Sequence, residues 1–166
     1  MFSVGDFVTH YKDGVCEIVE IGPLSISRSE KSKEYYTLRP VYNVAGKVYT
    51  PVENDKKQIR DVITKEEAEN LLWNLSEIEI IHVPEERRRE VYYKEALYKN
   101  DCRLWAAIIK TTYLRKQSRM NMGKRSINVD EKYMASAEKF LYGELAKALN
   151  IKKEEVKKSF VDKLKE

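Results

Sequence analysis

Short β-branched and aromatic runs, broken by turn residues, fill the first sixty positions of the chain. Phe7-Val8-Thr9-His10-Tyr11 gives way to Lys12-Asp13-Gly14, and Val15-Cys16-Glu17-Ile18-Val19-Glu20-Ile21 then runs up to Gly22-Pro23. Runs of this composition between Gly, Pro and Asp clusters predict strands. Alternation in the second run sets Val15, Glu17, Val19 and Ile21 on one face and Cys16, Ile18 and Glu20 on the other, as in a strongly bent strand of a small barrel. Glu34 to Tyr42 and Gly46 to Val52 supply further strands, with Ser25 to Lys33 as a polar loop between strands.

Near residue 63 the period changes from two to that of a helix. Thr64-Lys65-Glu66-Glu67 is a capping box opening a helix through Ala68, Leu71, Leu72 and Leu75. Pro84-Glu85-Glu86 predicts the start of a second helix, reaching about Lys99 with Val91, Tyr93, Leu97 and Tyr98 on its apolar face. Asn100-Asp101 breaks and recaps the chain. A third helix carries Leu104, Trp105, Ile108, Ile109 and Thr112 as one buried stripe and ends near Leu114-Arg115-Lys116. Asn128-Val129-Asp130-Glu131 is expected to cap a fourth, with Tyr133, Ala137, Phe140, Leu141, Leu145 and Leu149 inward, and residues 152 to 165 form a fifth. The expected fold class is therefore α+β: an N-terminal SH3/Tudor-like small β-barrel (1–63), then a C-terminal all-α bundle of about five helices (64–166).

Composition narrows the function classes. Hydrophobic residues make up 42 % of the chain, enough for packed cores, and charged residues 35 %, which implies a heavily solvated surface. No apolar run approaches the roughly 18 residues of a membrane span, and Met1-Phe2-Ser-Val-Gly-Asp6 lacks a secretory pattern, so a cytoplasmic location with no membrane partner is expected. Cys16 and Cys102 read as separate reduced thiols, and with only His10 and His82 besides, neither a metal site nor a cofactor is expected. There is no glycine-rich phosphate loop and no Ser-His-Asp or Cys-His spacing, which argues against an enzyme.

Charge is unevenly spread. Residues 1–64 hold nine basic and nine acidic residues, so the formal excess of +4 lies beyond them. From Cys102 to Val129 there is no acidic residue, but there are Arg103, Lys110, Arg115, Lys116, Arg119, Lys124 and Arg125. A one-sided stretch of this kind suits a polyanion, since each Lys or Arg that meets a phosphate releases condensed counterions. Arg87, Arg88 and Arg89 read alone are a solvated face balanced by Glu85, Glu86 and Glu90, and the C-terminal lysines read as surface pairs with interleaved acids. Trp105 sits on a core stripe, and Trp73 is expected to pack between the two domains.

The series Phe2-Ser-Val-Gly-Asp6-Phe-Val8, Gly14-Val15, Ile18 and Ile21, Glu34-Tyr35-Tyr36-Thr-Leu38 and Val48-Tyr-Thr-Pro51-Val52 resembles, in order and spacing, the N-terminal module of CarD-family transcription regulators, a module also found in transcription-repair coupling factors. Tyr93 to Asp101, Leu114-Arg115-Lys116 and Ala137 to Ala146 resemble the family's helical DNA-contacting domain, extending the likeness over about residues 2 to 149. The connection Gln117 to Asn128 is longer than is usual in the family. The resemblance implies that the barrel docks on the bacterial RNA polymerase β subunit through a sheet edge, here Leu24, Ser25 and Ile26 with Lys47, Val48, Tyr49, Thr50 and Pro51. Where the family often shows arginines, this chain has Leu24 and Tyr49. It also implies non-specific backbone contact with promoter DNA, for which the candidates are Arg87, Arg88, Arg89, Lys94, Arg115, Lys116, Arg119, Lys124 and Arg125. The family places a Trp wedge ahead of its second C-terminal helix, whereas this chain has Glu86 there. A carboxylate cannot hold a base step unstacked, so DNA contact without strong open-complex stabilisation is expected. The expected role is a monomeric transcription regulator. The alternative is a Tudor-like protein–protein adaptor that binds no DNA.

Overall fold

Gly14, at φ 72°, lets β1 (Phe7–His10) turn back through three residues into β2 (Gly14–Gly22). β3 (Tyr35–Pro40), β4 (Val48–Pro51) and β5 (Ile59–Asp61) complete an antiparallel sheet of order β4-β3-β2-β1-β5. This computed structural model describes residues 1–24, 33–43, 45–53 and 57–166, so most of the expected 25–33 loop, with Ser25 and Ile26, lies outside the described residues. The chain divides into two units, Met1–Val62 and Ile63–Glu166.

The sheet curls into a half-barrel, as the strand lengths predict. Part of the curl comes from a bulge: Ile18 lies opposite Leu38 but Glu20 lies opposite Thr37, leaving Val19 as the extra residue. A bulge bends a strand and raises its twist. It also shifts the alternation by one, so Ile21 packs with Cys16 and Ile18 rather than on the Val15 face expected from strict alternation. Val8, Tyr36, Leu38 and Ile59 close this core. Thr50 Oγ1 donates to Gln58 Oε1 at 3.1 Å, tying β4 to the residue just ahead of β5, so the two terminal strands approach through side chains. Both cysteines are buried and neither is in a disulfide, and burial, helped by Asp13, pushes the Cys16 thiol up to about 12.

In the second unit Thr64 and Glu67 form the reciprocal capping box that opens α1 (Lys65–Trp73). Two 3₁₀ turns follow, Leu75–Glu77 and Glu86–Arg88, then α2 (Arg89–Leu97), α3 (Cys102–Asn121), α4 (Asn128–Leu149) and α5 (Lys153–Leu164). Asp101 caps α3 by accepting from Arg103 N at 2.8 Å. Trp105 is fully buried, donates Nε1–H to Leu97 O at 2.8 Å and packs on Phe140. Ile108, Leu141, Leu145, Val156 and Phe160 surround it in one core with Ala68 and Leu71. No helix among the described residues is long and apolar enough to cross a membrane.

Four local expectations need correction. The second helix begins as a 3₁₀ turn, and its inward residues are Arg89, Tyr93, Ala96 and Leu97; Val91 is exposed because residues two apart, as it and Tyr93 are, cannot share a helix face, and Tyr98 is exposed at the residue that ends the helix. Trp73 is 72 % exposed, with Lys163 Nζ lying 4.1 Å above its ring, and is not a packing residue. α3 continues past Lys116 to Asn121, which leaves only residues 122–127 as the connection to α4. Asn128 is the first residue of α4 rather than its cap, and Ile127 takes the cap position without a side-chain bond.

Two buried polar ties hold the unit together across long sequence separations. Glu144, fully buried on α4, accepts from Ile63 N at 2.9 Å and from the Cys102 thiol at 3.2 Å. Lys110 Nζ donates to three carbonyls, Leu75, Ser76 and Ile78, at 2.8–3.3 Å, so that one ammonium satisfies the end of the first 3₁₀ turn.

Candidate partner-binding edge and nucleic-acid interface

β4 is a terminal strand of the sheet. Its pairing with β3 sets Tyr35 opposite Pro51, Tyr36 opposite Thr50, Thr37 opposite Tyr49 and Leu38 opposite Val48, and Val52 N donates to Glu34 O at 3.0 Å. Hydrogen-bonded and non-hydrogen-bonded pairs alternate along an antiparallel ladder. Counting back from Glu34–Val52, Thr50 and Val48 turn their backbone groups to β3, while Pro51, Tyr49 and Lys47 turn theirs away. Proline therefore falls where no N–H is needed for the sheet. The outward backbone groups belong to the same residues whose side chains are exposed, Lys47 and Tyr49, whereas Thr50 is buried and Val48 and Pro51 are half-buried. Leu24, just beyond β2, is half-buried. This edge can accept one extended strand, with an aromatic and an ammonium beside the pairing groups.

In the helical unit, the basic residues divide by what they hold. Arg89 donates Nε and Nη2 to the two oxygens of Glu86 at 2.9 and 3.0 Å, and Nη1 to Tyr93 Oη at 3.1 Å. Tyr93 donates to Asp130 Oδ1 at 2.9 Å, and Asp130 Oδ2 accepts from Arg115 Nε at 2.8 Å. Arg115 Nη2 returns to Glu86 Oε1 at 3.0 Å, closing a ring of five groups from α2, α3, α4 and the second 3₁₀ turn. The Asp130 and Arg89 side chains are 5 % and 10 % exposed, that of Arg115 is 25 % and that of Glu86 is 62 %. Bonds from Arg89, with Arg115 nearby, hold the Glu86 carboxyl below the usual carboxylate range. Burial pushes the Tyr93 hydroxyl up to about 12, and its bond to Asp130 adds to the rise.

The stretch without acids in sequence is thus not free of acids in space. Arg115 is paired with Asp130 and Glu86, and Lys110 is held by carbonyls. Arg119 Nε donates to Arg125 O at 2.6 Å, tying the end of α3 to the connection that follows. Gly123, at φ 71°, donates to Met120 O, and Lys124 N donates to Arg119 O, a close that stops α3. Lys124 and Arg125 are exposed beyond it, Lys116 is half-buried and near Glu138, and Ser126 bonds Glu131 on the α4 side. On the facing turn Arg87 pairs with Glu85, and Arg88 lies 5.7 Å from the Tyr92 ring centre. Because Arg115 bonds Glu86, the turn that carries Arg87 and Arg88 lies beside α3 at Arg115, which Lys116 and Arg119 follow along the helix; Lys124 and Arg125 come after the end of α3. Lys94, exposed more than a turn further along α2, is not drawn in by any of these bonds.

The ring members Glu86, Tyr93 and Asp130 carried no signal as a site in the sequence. The Tyr93–Asp130 bond spans 37 residues and the Arg115–Glu86 bond 29; Tyr93 reads as a helix-face residue, Asp130 as a helix-start residue, and Glu86 only as the residue at the wedge position.

Residues 2–63 match the family model described as the CarD-like/TRCF RID domain. No curated protein matches the chain.

Proposed function

We propose that the chain, whose residues 2–63 match the CarD-like/TRCF RID domain of RNA-polymerase-interacting, transcription-associated proteins, is a transcription regulator whose β4 edge pairs with a strand of the bacterial polymerase β subunit. The helical unit, in this reading, lies on promoter DNA and grips its backbone without reading bases. The domain is a protein-interaction module, and the reading assigns the chain no catalytic step.

The observation that carries the docking half is the terminal position of β4, with the outward backbone groups of Lys47 and Tyr49 beside their exposed side chains. The DNA half is supported by the cationic end formed by Arg87, Arg88, Lys116, Arg119, Lys124 and Arg125. Arg89 and Arg115 anchor the ring beneath it, and Lys94 is a more distant contact. Contacts of this kind position a protein on a duplex but carry no sequence information.

The test is retention of the full chain on bacterial RNA polymerase β subunit, together with its affinity for duplex DNA at several salt concentrations. Retention with salt-sensitive DNA binding is the expected result. Retention without DNA binding at low salt makes the chain a protein–protein adaptor, and no retention removes the polymerase reading.

A further inference from the structure

A carboxylate held by three N–H groups from two guanidiniums is the arrangement in which proteins hold a phosphate oxygen pair. Glu86 is held in this way, by Nε and Nη2 of Arg89 and Nη2 of Arg115 at 2.9–3.0 Å. Two further features distinguish it from an ordinary structural ion pair. First, neither guanidinium depends on Glu86 for its position: Arg89 also donates to Tyr93, and Arg115 donates through Nε to the buried Asp130. The pair stays aimed if Glu86 leaves. Secondly, Glu86 itself is 62 % exposed and sits on a three-residue 3₁₀ turn, so its carboxylate can swing into water, and a phosphate that takes its place keeps the largely buried Arg89 guanidinium paired.

We propose that Arg89 and Arg115 form a phosphate seat that Glu86 occupies in the free protein, and that a backbone phosphodiester of duplex DNA displaces it. This rests on the DNA reading given above and deepens it. Glu86 is then an internal competitor that weakens DNA binding until the rest of the cationic end has engaged. The occupant is a phosphodiester of the duplex rather than a free anion because the seat adjoins the Arg87–Arg88 turn and the Lys116–Arg119 segment of α3, so several phosphates are met at once. No bond is made or broken covalently; one anion replaces another on the same three donors.

The experiment compares duplex DNA affinity across a salt series for the full-length wild type, Glu86→Gln and Glu95→Gln. Glu95 is exposed on α2, outside the ring, so Glu95→Gln makes the same change in net charge without touching the seat. Glu86→Gln should bind about tenfold more tightly than wild type, the worth of a charge-assisted contact no longer contested. Its plot of log affinity against log salt should have the wild-type slope, because the seat holds a phosphate in both proteins; a slope steeper by about 0.9 means that wild type leaves the seat closed and overturns the displacement. Glu95→Gln should change affinity by less than about twofold in salt near physiological strength. Equal gains in the two variants overturn the seat while leaving DNA binding in place, and no DNA binding by any variant overturns both readings. Glu86→Asp, whose shorter side chain reaches one guanidinium only, should fall between wild type and Glu86→Gln, and it carries the test if the glutamine variant does not fold. Inorganic phosphate titrated into Glu86→Gln should bind weakly; saturation below the concentration at which duplex DNA binds assigns the seat to a free anion and overturns the DNA assignment.

Discussion

Arg115 on α3 donates Nε to Asp130 on α4 at 2.8 Å, and this bond joins the middle of a run without acidic residues to the first turn of the next helix. It turns an arginine that the sequence offers to a polyanion into a structural tie. Arg115→Ala leaves Asp130 buried without its cation, and is expected to lower unfolding free energy by about 3 kcal/mol. Asp130→Ala should cost a similar amount. The double variant should cost at least about 1 kcal/mol less than the sum, the sign of direct coupling. Urea unfolding of the four proteins measures this; strict additivity would dissolve the pair as an energetic unit.

Proline substitution distinguishes the two sides of β4. Tyr49→Pro removes an N–H that points away from β3, so the sheet should remain folded while polymerase β-subunit retention drops at least about tenfold. Val48→Pro removes a ladder bond to β3 and should destabilise the sheet itself. A circular-dichroism melt run beside the retention assay separates loss of docking from loss of fold. Undiminished retention by a folded Tyr49→Pro variant would take the docking strand away from β4.

The cationic end predicts a salt signature. Lys124→Glu with Arg125→Glu alters two exposed side chains that hold nothing in the helical core. Duplex affinity should fall, and the slope of log affinity against log salt should shrink by about 1.8 if each side chain meets one phosphate. Polymerase retention should be unchanged. An unchanged slope with weaker binding would mean that the two residues repel DNA when reversed but do not touch it when native.

His10 makes the sheet unit sensitive to acid. It is buried, accepts from Lys12 N at 3.3 Å, and lies 2.9 Å from Asp13. Burial lowers its pKa from 6.5 even though Asp13 pulls the other way. Folding thus favours the neutral ring: the unfolded chain takes up the proton first as pH falls below 6.5, so stability is full above that value and declines beneath it. The thermal midpoint of the sheet should drop between pH ~7.5 and ~5.5, and His10→Gln should flatten the dependence. A midpoint that rises on acidification would reverse the assignment.

Legibility in the sequence followed distance along the chain. The Thr64–Glu67 box, the Asp101 cap and the Trp105 stripe depend on residues within two turns of each other, and all three stand where the pattern put them. Val19 is another matter. Whether a β-branched residue continues an alternation or bulges out of it depends on which residue of β3 lies opposite, and β3 begins sixteen positions later. β5 is three residues long, two of them charged, too short to carry a period. The resemblance ends α3 near Lys116, yet nothing in Gln117, Ser118 and Arg119 forbids a helix, and it runs on until Gly123 closes it. The cationic end was legible as charge, but which of its members were free was not. Pairing of Arg115 with Asp130 and Glu86, and of Lys110 with three carbonyls, is decided by helix packing and leaves no local pattern.

The bond from Ile63 to Glu144 sets an order of events during synthesis. The five strands among the described residues lie within the first 61 positions, so this sheet can close as soon as they have left the ribosome. Ile63, the first residue of the helical unit, must wait for a carboxylate that comes 81 residues later. At elongation rates of about 5–20 residues per second, that interval is roughly 4–16 s. A nascent chain therefore displays a finished N-terminal domain, with its open β4 edge, for seconds before the helices that follow it can lock. Whatever the edge captures can be captured while the rest of the molecule is still being made.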